Sequence, residues 1–163
     1  MKLDRRTFLG LGGAAMVAGV AVTLPGRDAG AQPGRFPYRL TDAQWRRRLN
    51  PAQYAVLREA HTERAGSSPL DREHRRGTFL CAGCGQPLFS SAAKFDSGTG
   101  WPSFFAPLPR AVATREDRSL FMARTEVLCA RCGGHLGHVF NDGPRPTGLR
   151  YCMNGAAMTF RPA

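Results

Sequence analysis

Apolar residues change their rhythm twice along the chain. Between Phe8 and Leu24 they run almost without a polar break, although glycine and alanine leave the run only weakly apolar. Between Thr41 and Gly66 they are sparser and spaced for helices. Thr41 or Asp42 can cap a short helix ending near Leu49. Asn50 followed by Pro51 supplies the cap and first-turn residue of a second helix, on which Tyr54, Val56 and Leu57 form an apolar face. After Ser67 the pattern shortens. Runs such as "GTFLC", "AVATR", "SLFMARTEVLC", "GHVF" and "TGLRYC" are broken by glycine and proline at turn-like intervals, which predicts a mainly β domain of short antiparallel strands behind two helices.

The first apolar run belongs to a different kind of segment. A charged start, the run itself and Ala29-Gly30-Ala31 before Gln32 have the layout of a secretory signal. Arg5-Arg6 followed by Thr7-Phe8-Leu9 resembles the twin-arginine export signal. The expected organisation is therefore a signal over 1–31, a proline- and glycine-containing linker over 32–40 and one domain over 41–163, working in the periplasm or otherwise outside the cytoplasm. The other reading is an uncleaved anchor, which would be the only membrane contact, because no later run approaches a bilayer's span.

With 163 residues, 42% of them hydrophobic and 21% charged, the chain is enough for one folded domain and is not of disordered composition. The formal charge of +11 includes four basic and two acidic residues in the first 31 positions, which leaves 19 basic against 10 acidic. Arg46-Arg47-Arg48 and Arg75-Arg76 are the candidates for nucleic-acid contact, but the arginines are scattered and an exported protein seldom meets nucleic acid. A solvated basic surface is the better reading, and no nucleic-acid partner is expected.

Four of the five cysteines form two matching pairs, Cys81-Ala82-Gly83-Cys84 and Cys129-Ala130-Arg131-Cys132, each followed by glycine. Such a turn aims two sulfurs at one point, and the glycine lets the backbone bend tightly behind them. Two such knuckles make a Cys₄ zinc site with no open position, hence structural. Disulfides are the competing expectation outside the cytoplasm, but CxxC disulfides close very small loops and stabilise little. A twin-arginine signal carries folded cargo, so metal could load before export.

Cys152 stands apart in "RYCMN". On a strand, Arg150, Cys152 and Asn154 share one face, giving a thiol beside a cation that favours its thiolate. A lone cysteine can also be a small core residue, Trp101 a core aromatic, and Asp142 in "NDGP" a turn residue. His135 and His138 could be extra metal ligands, but proton donation is the better use for one of them once four thiolates fill the coordination shell.

The segments "CAGCGQPLFSSAAKFDSGTGWPSF", "RTEVLCARCGGHLGHVFNDGP" and "TGLRYCMNGAAMTF", in this order, resemble the B-type methionine-R-sulfoxide reductase family from about Thr41 to Phe160. The resemblance implies a small antiparallel β-barrel-like domain of two sheets with short N-terminal helices, and a zinc that ties loops together away from the active site. It implies thiol-dependent reduction of methionine R-sulfoxide in oxidised proteins, a repair of oxidative damage. Cys152 would attack the sulfoxide sulfur and be left as a sulfenic acid. Trp101 would hold the substrate methyl group, with Thr99 lining the pocket. His135, His138 and Asp142 would position water and supply a proton, Arg150 would support the thiolate and Asn154 would orient the site.

Two positions depart from the family pattern. Many relatives carry a resolving cysteine where Thr99 stands, and Met153-Asn154-Gly155 replaces a bulkier aliphatic followed by "NS". Four cysteines in a metal site leave no thiol to pair with Cys152, so an external thiol reductant is the expected partner, and a monomer the expected state. Two other readings remain: a zinc-ribbon binding module that has lost catalysis, and a reductase acting mainly on free methionine sulfoxide.

Overall fold

The computed structural model describes residues 36–118 and 123–163. The expected export signal over 1–31 and residues 32–35 of the expected linker lie outside the described residues. Among the described residues, no helix is long and apolar enough to cross a membrane.

Two helices lead. α1 (Asp42–Arg48) starts at Thr41, whose hydroxyl accepts from the Gln44 amide while the Gln44 side chain accepts from the Thr41 amide. α2 (Pro51–Glu59) starts the same way at Asn50 with Gln53, and has proline at its first position. These reciprocal caps satisfy amides that a helix start leaves unpaired. α2 ends at Ala60, which adopts a left-handed conformation with φ 55°. Tyr54, Val56 and Leu57 are buried, as their spacing predicts.

The rest is two antiparallel sheets. One has the order β2-β1-β9, with β1 at Gly77–Cys81, β2 at Pro87–Ser90 and β9 at Met158–Pro162. The other has the order β3-β4-β8-β7-β6-β5. Its strands are β3 (Lys94–Phe95), β4 (Ser103–Phe104), β5 (Val112–Asp117), β6 (Arg124–Cys129), β7 (His135–Phe140) and β8 (Arg150–Met153). Phe79, Phe89 and Phe104, all fully buried, anchor the core: Phe89 stacks on Phe104 at 4.3 Å and Phe79 meets Phe104 edge-on at 4.9 Å. The architecture is the mainly β, two-sheet domain with short N-terminal helices that the sequence predicts.

Three details differ from the sequence reading. β6 begins at Arg124, β5 runs on to Asp117, and β8 begins only at Arg150 and ends at Met153. Asn154 therefore lies just past the strand, at the entry to a short 3₁₀ turn over Gly155–Ala157. Residues 36–40 carry their own contacts: the Tyr38 ring packs at 5.8 Å from Trp45, and the Tyr38 amide donates to the Arg131 carbonyl.

Candidate active site

Strand register builds the site. Cys152 on β8 is directly opposite His138 on β7 and Ser103 on β4, and residues opposite one another in an antiparallel pair project to the same face. Thiol, imidazole and hydroxyl thus stand in a row across three strands. Gly137 makes the approach of β7 and β8 possible: its φ is 155°, and a Cβ there would lie 2.1 Å from the Cys152 carbonyl oxygen. A register shift in the β6–β7 pairing sets the extra residue beside it. Three positions apart on a regular strand, His135 and His138 would face opposite ways; the bulge restores them to neighbours, their rings 5.4 Å apart and edge-on.

A cavity of about 170 Å³ opens onto this row, lined by Trp101, His138, Phe140, Cys152 and Asn154 among others. Four of the predicted site residues meet there. Thr99 joins them at the thiol, its hydroxyl 3.9 Å from Cys152 Sγ and linked through Ser97 at 2.8 Å to Ser103. Asn154 is buried and immobilised: its amide nitrogen donates to the Leu136 carbonyl at 3.1 Å, and its oxygen accepts from the Glu63 backbone amide at 3.0 Å.

The remaining three predicted residues stand beside the cavity. Arg150 is held by Asp142 through two parallel hydrogen bonds of 2.9 and 2.8 Å, with its guanidinium 4.4 Å from the centre of the Phe140 ring. That pair faces a separate cavity with Thr99. His135 is buried, its Nδ1 donating to Glu126 at 2.7 Å, and Glu126 also takes a hydrogen bond from Arg115.

The electrostatics differ from the expected pairing of thiol and cation. Burial pushes the Cys152 thiol above its ordinary value, and the opposing pull of Thr99, Arg150 and Ser103 does not outweigh it. Arg150 is largely engaged by Asp142, whose carboxyl it holds below the usual carboxylate range. Burial likewise pushes His138 below 6.5, so its ring is neutral near pH 7. Its Nε2 lies 2.8 Å from Asp117 Oδ2, an oxygen that also accepts from Arg124. A carboxylate only accepts, so the neutral ring carries its hydrogen on Nε2 and leaves Nδ1 as the acceptor.

Sequence reasoning missed Glu63, Ser103, Asp117 and Glu126. Glu63 contributes most: its carbonyl accepts from the Trp101 indole N–H at 3.1 Å, and its carboxylate accepts from the Gly155 and Ala156 amides at 2.6 and 2.8 Å. One residue thereby ties Trp101, Asn154 and the turn after it to a single segment. No local pattern in "HTERAG" announces this.

The other four cysteines gather elsewhere, and none of the five is in a disulfide. Cys81 Sγ is 3.7 Å from Cys132 Sγ and Cys84 Sγ is 3.6 Å from Cys129 Sγ, with all four sulfurs within 4.8 Å of one another. Sulfurs at about 2.3 Å from a tetrahedral ion lie about 3.8 Å apart, so the cluster fits a metal ion. Gly85 and Gly133, at φ 72° and 68°, close the two knuckles as expected. Three arginines surround them: Arg48 donates to the Gly83 carbonyl, Arg131 to Cys84 and Arg58 to Cys132.

Residues 49–162 match the SelR domain family. The chain is also 59% identical over 123 residues to a peptide methionine sulfoxide reductase MsrB of Thiobacillus denitrificans, covering 75% of this chain and 93% of that one. Against the MsrB of Bradyrhizobium diazoefficiens it is 60% identical over 123 residues, covering 75% and 88%. Against that of Leptospira interrogans it is 52% identical over 122 residues, covering 74% and 93%. The chain belongs to the B-type peptide methionine sulfoxide reductase family. Membership makes it an oxidoreductase of the peptide methionine sulfoxide reductase class, and the four gathered cysteines are positioned to hold a metal ion.

Proposed function

We propose that this reductase converts the R epimer of methionine sulfoxide in oxidised proteins to methionine, with Cys152 as nucleophile and one zinc ion as a structural brace. The partition of the cysteines supports this most: four converge on an ion-sized cluster, while the fifth opens onto a cavity with Trp101, His138 and Asn154. Zinc held by Cys81, Cys84, Cys129 and Cys132 has no open position, so it supplies stability rather than chemistry.

In the reaction, Cys152 Sγ attacks the sulfoxide sulfur, whose methyl group lies against the Trp101 ring. His138, neutral and with Nδ1 as acceptor, takes the thiol proton and passes it to the sulfoxide oxygen. The sulfoxide is reduced to the thioether, the oxygen ends on Sγ, and the thiol is oxidised to a sulfenic acid. Atoms and protons balance without another reactant. Asn154 fixes the cavity wall and Thr99 lines the thiol side. Asp142 acts through Arg150, and His135 through its edge-on contact with His138. An external thiol then forms a mixed disulfide with Cys152 and releases water, and a second thiol frees the enzyme. The twin-arginine-like start supports the same chemistry outside the cytoplasm, as repair of oxidised envelope proteins by a monomer.

Turnover of the separate R and S epimers of blocked methionine sulfoxide, with dithiothreitol, tests the reading. R-specific reduction that disappears in Cys152→Ser is the expected result, and after one equivalent of substrate without reductant the intact mass should show one added oxygen. No turnover of either epimer by metal-loaded protein sinks the proposal, and an internal disulfide sinks the external-thiol step.

A further inference from the structure

The catalytic cavity, at about 170 Å³, has room for a methionine sulfoxide side chain and little more. Whatever flanks that side chain in a polypeptide has to lie on the surface around the mouth. Thr62 is exposed and forms a ridge common to the catalytic cavity and to a far larger one of about 960 Å³. The two also meet at consecutive residues, Asn154 on the catalytic side and Gly155 on the other.

The lining of the large cavity is mixed, with Asn50, Gln53, His61, Ser67 and Ser68 beside a set of apolar side chains. Val56, Leu70, Ala156, Met158 and Phe160 supply apolar surface from α2, the 61–75 segment, the 3₁₀ turn and β9. The charges on its rim are already matched: Glu73 takes hydrogen bonds from the Arg75 guanidinium at 2.6 and 3.0 Å, and the Arg75 ion is 5.4 Å from the centre of the Phe160 ring. Glu63 turns its carboxylate to the Gly155 and Ala156 amides. The third cavity touching Thr62 is different in kind, walled by Arg115, Asp117, Arg124 and Glu126. Of these two cavities, the large one offers an apolar side chain more apolar surface against which to lose water.

We infer that the cavity of Leu70, Met158 and Phe160 is a substrate subsite: it takes an apolar side chain flanking the oxidised methionine, while the substrate backbone crosses the Thr62 ridge. This rests on the reductase reading above and gives that reading a preference for methionines in apolar sequence, the stretches that become exposed when an oxidised protein loosens.

Blocked heptapeptides with a central methionine R-sulfoxide, and with one leucine or one aspartate moved through the other positions, test the inference. The N-acetylated single amino acid is the reference substrate. Leucine at one register is expected to raise kcat/KM roughly tenfold over aspartate there, the scale of burying much of one leucine side chain. Two variants address the cavity. Thr159→Trp fills it from an exposed position on β9, and Leu70→Ser removes apolar surface from its wall. Both should erase the leucine advantage and leave turnover of the single amino acid unchanged; if Leu70→Ser does not fold, Thr159→Trp decides alone.

Equal rates for leucine and aspartate peptides in the parent protein, or an advantage that survives Thr159→Trp, overturn the inference while the reductase reading stands. A dimer in the parent that dissociates in Thr159→Trp overturns it too, since a second copy would then be the occupant. Absence of R-sulfoxide turnover even for the single amino acid removes the reductase reading and the subsite together.

Discussion

Replacing Glu63 with alanine probes the segment that holds the candidate site's cavity together. The substitution deletes two charge-assisted hydrogen bonds, from the Gly155 and Ala156 amides at 2.6 and 2.8 Å. Bonds of this type contribute about 1.5–3 kcal/mol each, but Glu63 is half-buried and water can take over part of the acceptor role. A net cost of about 2 kcal/mol is the reasonable figure, equivalent to a fall in Tm of about 6–10 °C for a domain of this size. The bonds of the Glu63 backbone to Trp101 and Asn154 survive the substitution chemically, yet they are held in place only by a segment that has lost its anchor. With half of the cost appearing in the bound state, kcat/KM falls roughly fivefold, mainly through KM. Glu63→Gln keeps one acceptor oxygen and should recover about half of both losses. Calorimetry and steady-state kinetics on blocked methionine R-sulfoxide measure them together. A Glu63→Ala protein with the parent's Tm and KM refutes the reasoning; a lowered Tm with unchanged KM reduces Glu63 to a stabilising residue.

Two further outcomes follow from the site. Because burial places Cys152 above its ordinary value and His138 below 6.5, the free enzyme at pH 7 holds a neutral thiol beside a neutral imidazole. Iodoacetamide labelling of Cys152 should therefore rise with pH to a midpoint above that of an ordinary cysteine thiol, and Thr99→Val should move it higher; a midpoint below the ordinary one contradicts the burial argument. Metal removal should act on the whole fold, since structural zinc contributes about 10–16 kcal/mol in small model domains. Elemental analysis is expected to give one zinc per chain, and Cys84→Ser or chelation under denaturing conditions should abolish cooperative refolding. Refolding without metal to the parent's Tm would contradict the brace.

What could be read from the sequence is what is local. The caps at Thr41 and Asn50 use partners three residues away, and each cysteine knuckle closes within four residues and a glycine. Strand alternation placed Arg150 and Cys152 together, and the family motifs brought in Trp101, His138 and Asn154. What escaped is set by distance along the chain or by backbone irregularity. Asn154 and Glu63 are 91 positions apart, and His138 and Asp117 are 21 apart. The two histidines share a side only because the strand bulges at Leu136. The balance at the thiol escaped for a different reason: pattern alone does not reveal that Asp142 engages Arg150, nor that burial raises the Cys152 thiol against the pull of Thr99 and Arg150.

The three arginines around the knuckles have a consequence for how the chain survives its own task. A reductase acting as proposed works amid oxidants while carrying four more cysteines than its reaction uses. Four thiolates around one divalent ion would carry excess negative charge, and Arg48, Arg58 and Arg131 place positive charge against the knuckle carbonyls. Lowering the basicity of a thiolate lowers its nucleophilicity, and hence its reaction with peroxides. In the function proposed above the collar would discriminate among the chain's five cysteines, keeping four of them chemically quiet and leaving oxidation to Cys152, from which a thiol reductant removes it.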